Sequence, residues 1–125
     1  MPRTVFVIDD NNEILDLTRY SLEHITDISL QTFSNPVSAL RKIESEGRPD
    51  LIITDLKMSS MNGVELLARL SIVAKTVPII IFTGHAEVLP PGNNCYTVFK
   101  DAHGFEKLVD TVEDILKKQP AHETA

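Results

Sequence analysis

Asp50-Leu51-Ile52-Ile53-Thr54-Asp55-Leu56-Lys57-Met58 is the stretch on which the reading of the fold turns. Leu51, Ile52 and Ile53 form an unbroken apolar run with two β-branched members. A run with no polar alternation is how a strand covered on both faces of a parallel sheet is written. Asp55 then places a carboxylate at the end of that buried strand, which is costly unless partners are at hand. Two similar runs, Val5-Phe6-Val7-Ile8 and Ile79-Ile80-Ile81-Phe82, lie on either side along the chain. Ile28 to Phe33 and Tyr96 to Phe99 are weaker strand candidates, as expected nearer the sheet's edges.

Between these runs the apolar residues fall at helical spacing. Phe105, Leu108, Val109, Val112, Ile115 and Leu116 make one stripe, with Lys117 and Lys118 at the negative end of its dipole. Ile14, Leu15, Leu22 and Ile25 outline a first helix, capped by Asn11 or Asn12. Val37, Leu40 and Ile43 outline a second, entered through Ser34 and Pro36, and Leu66, Leu67, Leu70 and Val73 a third. Strand–helix alternation predicts an α/β, doubly wound sheet with right-handed crossovers. Sites in such folds form at the carboxyl ends of the strands.

Composition narrows the function. The 125 residues suit one domain, with the folded unit over 1–118 and a flexible tail over 119–125. A formal net charge of -6 argues against direct nucleic-acid binding, which needs clustered Lys and Arg. No apolar stretch approaches the roughly 20 residues that span a bilayer, and no signal peptide is evident, so a cytoplasmic setting is expected. Cys95 stands alone, which excludes an internal disulfide and a Cys-based zinc cage.

The residues just after each strand carry the chemistry. The first strand ends in Asp9-Asp10, the third in Asp55, the fourth in Thr83-Gly84 and the fifth in Lys100. The topology brings three carboxylates, a hydroxyl and an ammonium into one cleft. Clustered carboxylates repel unless a cation neutralises them, and hard oxygen ligands suit Mg2+. Each residue alone has a plain structural use; together, at four strand ends, they point to a pocket for a metal and a phosphoryl group.

These residues resemble the receiver domains of bacterial two-component signalling, from about Arg3 to Lys118. Val7-Ile8-Asp9-Asp10-Asn11 is similar to that family's acidic Mg2+ motif, and Arg48 to Met58 to the segment around its phosphoacceptor. Met61-Asn62-Gly63 resembles the turn that follows, Val77 to Thr83 the strand with the signalling hydroxyl, and Phe99-Lys100 the end of the fifth strand. The resemblance implies a flavodoxin-like five-stranded sheet of order 2-1-3-4-5. It implies that Asp55 accepts a phosphoryl group, and that Asp10, Asp55 and the backbone carbonyl of Lys57 ligate Mg2+, with Asp9 acting through water. Lys100 and Thr83 would bind the phosphoryl oxygens. The implied donor is a sensor histidine kinase or histidine phosphotransfer protein, and the domain would turn over no outside substrate.

Departures from the family pattern are specific. Thr83 and Lys100 are only 17 residues apart, and Pro90-Pro91-Gly92-Asn93-Asn94 occupies the interval. Adjacent prolines and a glycine break a helix, so the family's fourth helix is expected to be lost or much reduced. Asp101 follows Lys100 where the family has a proline after a cis bond. A cis bond before another residue costs about 3–4 kcal/mol; the bond is therefore either trans, with Lys100 aimed differently, or strained. Thr97 stands where an aromatic is common, and Tyr96 is expected to point to the opposite face. Ser59 replaces a common proline and is expected to loosen the loop beside Asp55. His85, two residues after Thr83, is a candidate to lie over the phosphoryl site.

Other classes fit less well. A haloacid-dehalogenase-type hydrolase resembles Asp-x-Asp, but Asn11 and Lys57 occupy the acid's positions. A flavodoxin-like electron carrier needs a phosphate-binding loop that Asp9-Asp10 would repel. The alternative that stays open is a degenerate receiver, a docking module that works without phosphorylation. Oligomeric state and cognate kinase are open as well.

Overall fold

The three apolar runs form the middle of a five-stranded sheet in the computed structural model, which describes residues 2–84 and 94–119. The elements are β1 (Arg3–Ile8), α1 (Asn12–Leu22), β2 (Ile28–Phe33), α2 (Pro36–Glu46), β3 (Leu51–Thr54), α3 (Gly63–Val73), β4 (Ile79–Thr83), β5 (Cys95–Phe99) and α4 (Gly104–Lys118). Neighbouring strands are all parallel, in the order β2-β1-β3-β4-β5. This is the expected doubly wound α/β arrangement.

Every residue of β3 and β4 is buried, because helices cover both faces of the sheet. Strand alternation divides the core in two. Phe6, Ile8, Ile52 and Ile81 pack with Leu40 and Ile43 of α2 and Leu66 and Leu70 of α3. Val5, Val7, Ile53, Ile80 and Phe82 pack on the other face with Leu15 and Leu22 of α1 and Leu108, Val112 and Ile115 of α4. Burying one such side chain contributes about 2 kcal/mol, so the two clusters supply most of the drive to fold.

Asparagine starts three of the helices. The Asn11 side chain accepts from the Glu13 and Ile14 amides at 2.9 and 3.3 Å. Asn62 accepts from Glu65 at 2.8 Å. Asn35, not Ser34, caps α2, accepting from Val37 at 2.9 Å with Pro36 in the first turn. Gly47 closes α2 at a φ of 99°, a left-handed conformation that favours glycine. α1 stops at Leu22, so Ile25 lies beyond it, its amide donating to the Leu22 carbonyl at 3.0 Å.

Four helices flank the sheet among the described residues, and of the interval between β4 and β5 only Gly84 and Asn94 are described. His85 and the Pro90-Pro91-Gly92-Asn93 segment lie outside the described residues. On either side of that interval the Ile79 amide donates to Asn94 O at 2.7 Å and the Lys100 amide to Thr83 O at 2.8 Å. Gln119, expected to begin a loose tail, is held instead: its Nε2 donates to the Asp50 carbonyl at 2.8 Å, and its own carbonyl accepts from Arg3. The residues after it are not described. No helix among the described residues is long and apolar enough to cross a membrane.

Candidate functional site

The sheet ladder runs one residue past three strands and sets the site. The Asp9 amide donates to Phe33 O at 3.0 Å, the Asp55 amide to Ile8 O at 3.1 Å and the Lys100 amide to Thr83 O at 2.8 Å. These bonds fix where each side chain leaves the backbone. Thr83 lies buried at the end of β4, between the strands that carry Asp55 and Lys100. The stem of Lys100 reaches back over that end, its Nζ 5.6 Å from the centre of the Phe82 ring. The ammonium then donates to Asp55 Oδ2 at 2.8 Å and to Asp9 Oδ2 at 2.9 Å.

The carboxylates are otherwise served by backbone amides. Asp9 Oδ1 accepts from Asn11 at 2.9 Å, and Asp55 Oδ1 accepts from Leu56 at 2.6 Å and Lys57 at 3.3 Å. Asp10 Oδ2 accepts from the Ser59 amide at 3.0 Å. Gly63 lets the α3 start close onto this loop, since a Cβ there would meet Leu56 Cα and O at 2.8 Å.

Burial and charge work against each other here. Asp9 is only 3% exposed, and burial pushes its carboxyl above the ordinary value although Lys100 and the Asn11 amide pull it down. Burial lowers Lys100, but its hydrogen bonds to Asp55 and Asp9 outweigh that and hold the ammonium above its usual range.

Among the described residues no group of three or more His, Cys, Asp or Glu side chains is arranged to hold a metal. Asp9 and Asp55 close on Lys100, and Asp10 turns to Ser59. Mg2+ needs no such cage, because it keeps several waters and takes one or two carboxylates. Asp10, Asp55 and the Lys57 carbonyl, the residues that would hold Mg2+, offer only oxygen atoms, a chemistry that suits Mg2+ better than zinc or copper.

A family model described as the response regulator receiver domain matches residues 5–95. The chain belongs to that family. It is 28% identical over 122 residues to sporulation initiation phosphotransferase F of Bacillus subtilis (strain 168), with 94% of each chain covered. To the alkaline phosphatase synthesis transcriptional regulatory protein PhoP of the same organism it is 32% identical over 87 residues, covering 70% of this chain and 35% of that protein. The chain therefore spans about a third of the second relative's length. A CheY-like receiver domain protein from Methanospirillum hungatei JF-1 superposes with a TM-score of 0.78 at 25% identity, covering 94% of this chain and 96% of the other. The phosphorylated cyanobacterial phytochrome response regulator RcpA shares the fold, with a TM-score of 0.80 at 22% identity over 98% and 100% of the chains. The sequence is thus a receiver domain of a response regulator in two-component signalling, a signalling module and not a turnover enzyme. Its family works with histidine kinases or phosphotransfer proteins.

Two expectations change within this receiver domain. No cis peptide bond occurs among the described residues, so the Lys100–Asp101 bond is trans, and Lys100 nonetheless reaches both carboxylates. Ser59 does not free its loop: it has the amide N–H that a proline lacks, and that group ties the loop to Asp10. Thr97 pairs with Ile81 and so stands level with Thr54, while Tyr96, 39% exposed, alternates to the other face. Burial pushes the Cys95 thiol up, away from the thiolate a redox role would need. The sequence reading passed over Phe82 beneath Lys100, whose aromatic identity next to Thr83 was the available signal. It also missed the binding of Asp10 by Ser59, for which a local residue pattern gives no sign.

Proposed function

We propose that this receiver domain accepts a phosphoryl group on Asp55 and passes on the signal by a shift between two conformations. The observation that carries the reading is the meeting of Asp9, Asp55 and Lys100 within 2.8 to 2.9 Å at the ends of three strands. A carboxylate oxygen of Asp55 attacks phosphorus in line while the donor's histidine nitrogen leaves with the P–N bonding pair, giving an acyl phosphate. Lys100, already at Asp55 Oδ2, follows the added charge onto the phosphoryl oxygens. Thr83 donates its hydroxyl to one of those oxygens. Asp10, Asp55 and the Lys57 carbonyl would hold Mg2+, with Asp9 acting through water, and the ion would supply neutralising charge to the transferring group. The donor is a phosphohistidine on a sensor kinase or phosphotransfer protein, the setting is the cytoplasm, and slow self-catalysed hydrolysis of the acyl phosphate ends the signal. Neither nucleic acid nor membrane is a direct partner of the domain.

The pairing of Lys100 with both Asp9 and Asp55 also suits a second reading, a docking module whose acidic site is already satisfied. Incubation with Mg2+ and phosphoramidate, followed by intact mass, separates the two. The phosphoacceptor reading expects a gain of one phosphoryl group that is lost with chelator and with Asp55→Asn. Uptake of neither Mg2+ nor a phosphoryl group would replace it with the docking module.

A further inference from the structure

The ammonium of Lys100 hangs on four rotatable bonds, so its place at Asp55 depends on how firmly the backbone at residue 100 is aimed. A proline after the lysine would fix that backbone by its ring. Here the next residue is Asp101, joined by a trans bond, and it is tied down in a different way. Its amide donates to the Phe99 carbonyl at 2.9 Å, closing a tight turn centred on Lys100. Its Oδ1 accepts from the His103 amide at 3.0 Å, and its carbonyl accepts from the Gly104 amide at 3.0 Å. An aspartate that binds the backbone two residues on forms a local turn of its own.

The same turn is compressed at its far end. A Cβ on Gly104 would lie 2.5 Å from the Phe99 carbonyl oxygen, so only glycine lets α4 start this close to β5. Phe105 follows at once and packs edge-on against Phe82 at 5.2 Å between ring centres. Phe82 is the ring over which the Lys100 ammonium sits. His103, the cap position of α4, makes no side-chain capping bond, and its own amide is held by Asp101.

We propose that Asp101 is a positioning residue for Lys100, replacing the constraint of a proline ring with a hydrogen-bonded turn that holds the ammonium at Asp55. The inference rests on the phosphoacceptor reading and deepens it. Asp101 is exposed, so its loss leaves the core intact.

The test is the rate of Asp55 phosphorylation by phosphoramidate at saturating Mg2+ in a set of variants. Asp101→Ala lowers the rate about tenfold, the scale of a reacting group moved by a fraction of an ångström. Asp101→Asn restores it, because its amide oxygen still accepts from His103. In a Lys100→Ala background, Asp101→Ala has no further effect. An unchanged rate in Asp101→Ala, or an equal loss in the Lys100→Ala background, overturns the proposal. A second readout needs no phosphorylation: the Lys100 ammonium protons, seen by nitrogen-detected NMR, exchange slowly in the wild type and fast in Asp101→Ala. If the wild type takes up no phosphoryl group, the phosphoacceptor reading fails alone, and an ammonium signal unchanged by Asp101→Ala overturns the positioning role.

Discussion

Asp50 and Asp55 bracket the same strand, one before β3 and one after it, yet they have opposite surroundings. Asp50 is stitched into neighbouring segments: its Oδ2 accepts from the Thr4 amide at 2.7 Å, its amide donates to Thr4 O at 2.8 Å, and its carbonyl accepts from Gln119. Those bonds join β1, β3 and the end of α4. Asp55 faces an ammonium and a second buried carboxylate instead. The amino end of the sheet spends its aspartate on stability, and the carboxyl end holds charge that a stable protein would not choose for itself. Such local conflicts are what functional sites look like.

The largest break in this contrast comes from removing the ammonium. Lys100→Ala leaves buried Asp9 and half-buried Asp55 together without their cation and is expected to cost about 3 kcal/mol of unfolding free energy in urea denaturation. Lys100 is held above its ordinary value when folded, so its contribution is fully present below the unfolded lysine value. It disappears only as pH rises through the higher folded one. A loss under about 1 kcal/mol would mean that the ammonium is not what balances the pair.

Asp50→Ala comes next. It strands the Thr4 amide and is expected to cost about 2 kcal/mol while leaving the phosphorylation rate at the wild-type value. A slowed rate with unchanged stability would erase the distinction between the two aspartates.

The smallest effect has the opposite sign. Asp9→Asn removes a charge whose burial outweighs its partners, so it is expected to stabilise by about 1 kcal/mol at neutral pH. Asp9 binds its proton at higher pH when folded than when unfolded, so its penalty is present above the folded value and fades as pH falls toward the unfolded one. The gain in melting temperature over wild type should therefore shrink toward pH 4. A gain that grows on acidification would contradict the burial argument.

How much of this could be read from residues alone follows from how locally each feature is encoded. β1, β3 and β4 were legible because a strand buried on both faces must be apolar throughout, and the α4 stripe because one face must be. Asp9, Asp55 and Lys100 were legible as strand ends once the order of elements was known. Asp50 was not marked as anything but a neighbour of the strand, because its partners Thr4 and Gln119 lie 46 and 69 residues away. Ser59 and Asp101 were read as lost prolines; what they gain, an amide donor and a carboxylate acceptor, shows only when the partner is in place. The α2 cap moved by one residue because Ser34 and Asn35 are both good caps, and only the backbone decides between them.

Trapping the acyl phosphate tests the central claim most directly. The protein would be phosphorylated with phosphoramidate and Mg2+, reduced with borohydride to convert the modified aspartate to homoserine, and digested for peptide mass mapping. The account predicts homoserine at position 55 and unmodified aspartate at positions 9, 10 and 50. Homoserine at any of those three, with position 55 unmodified, would contradict it.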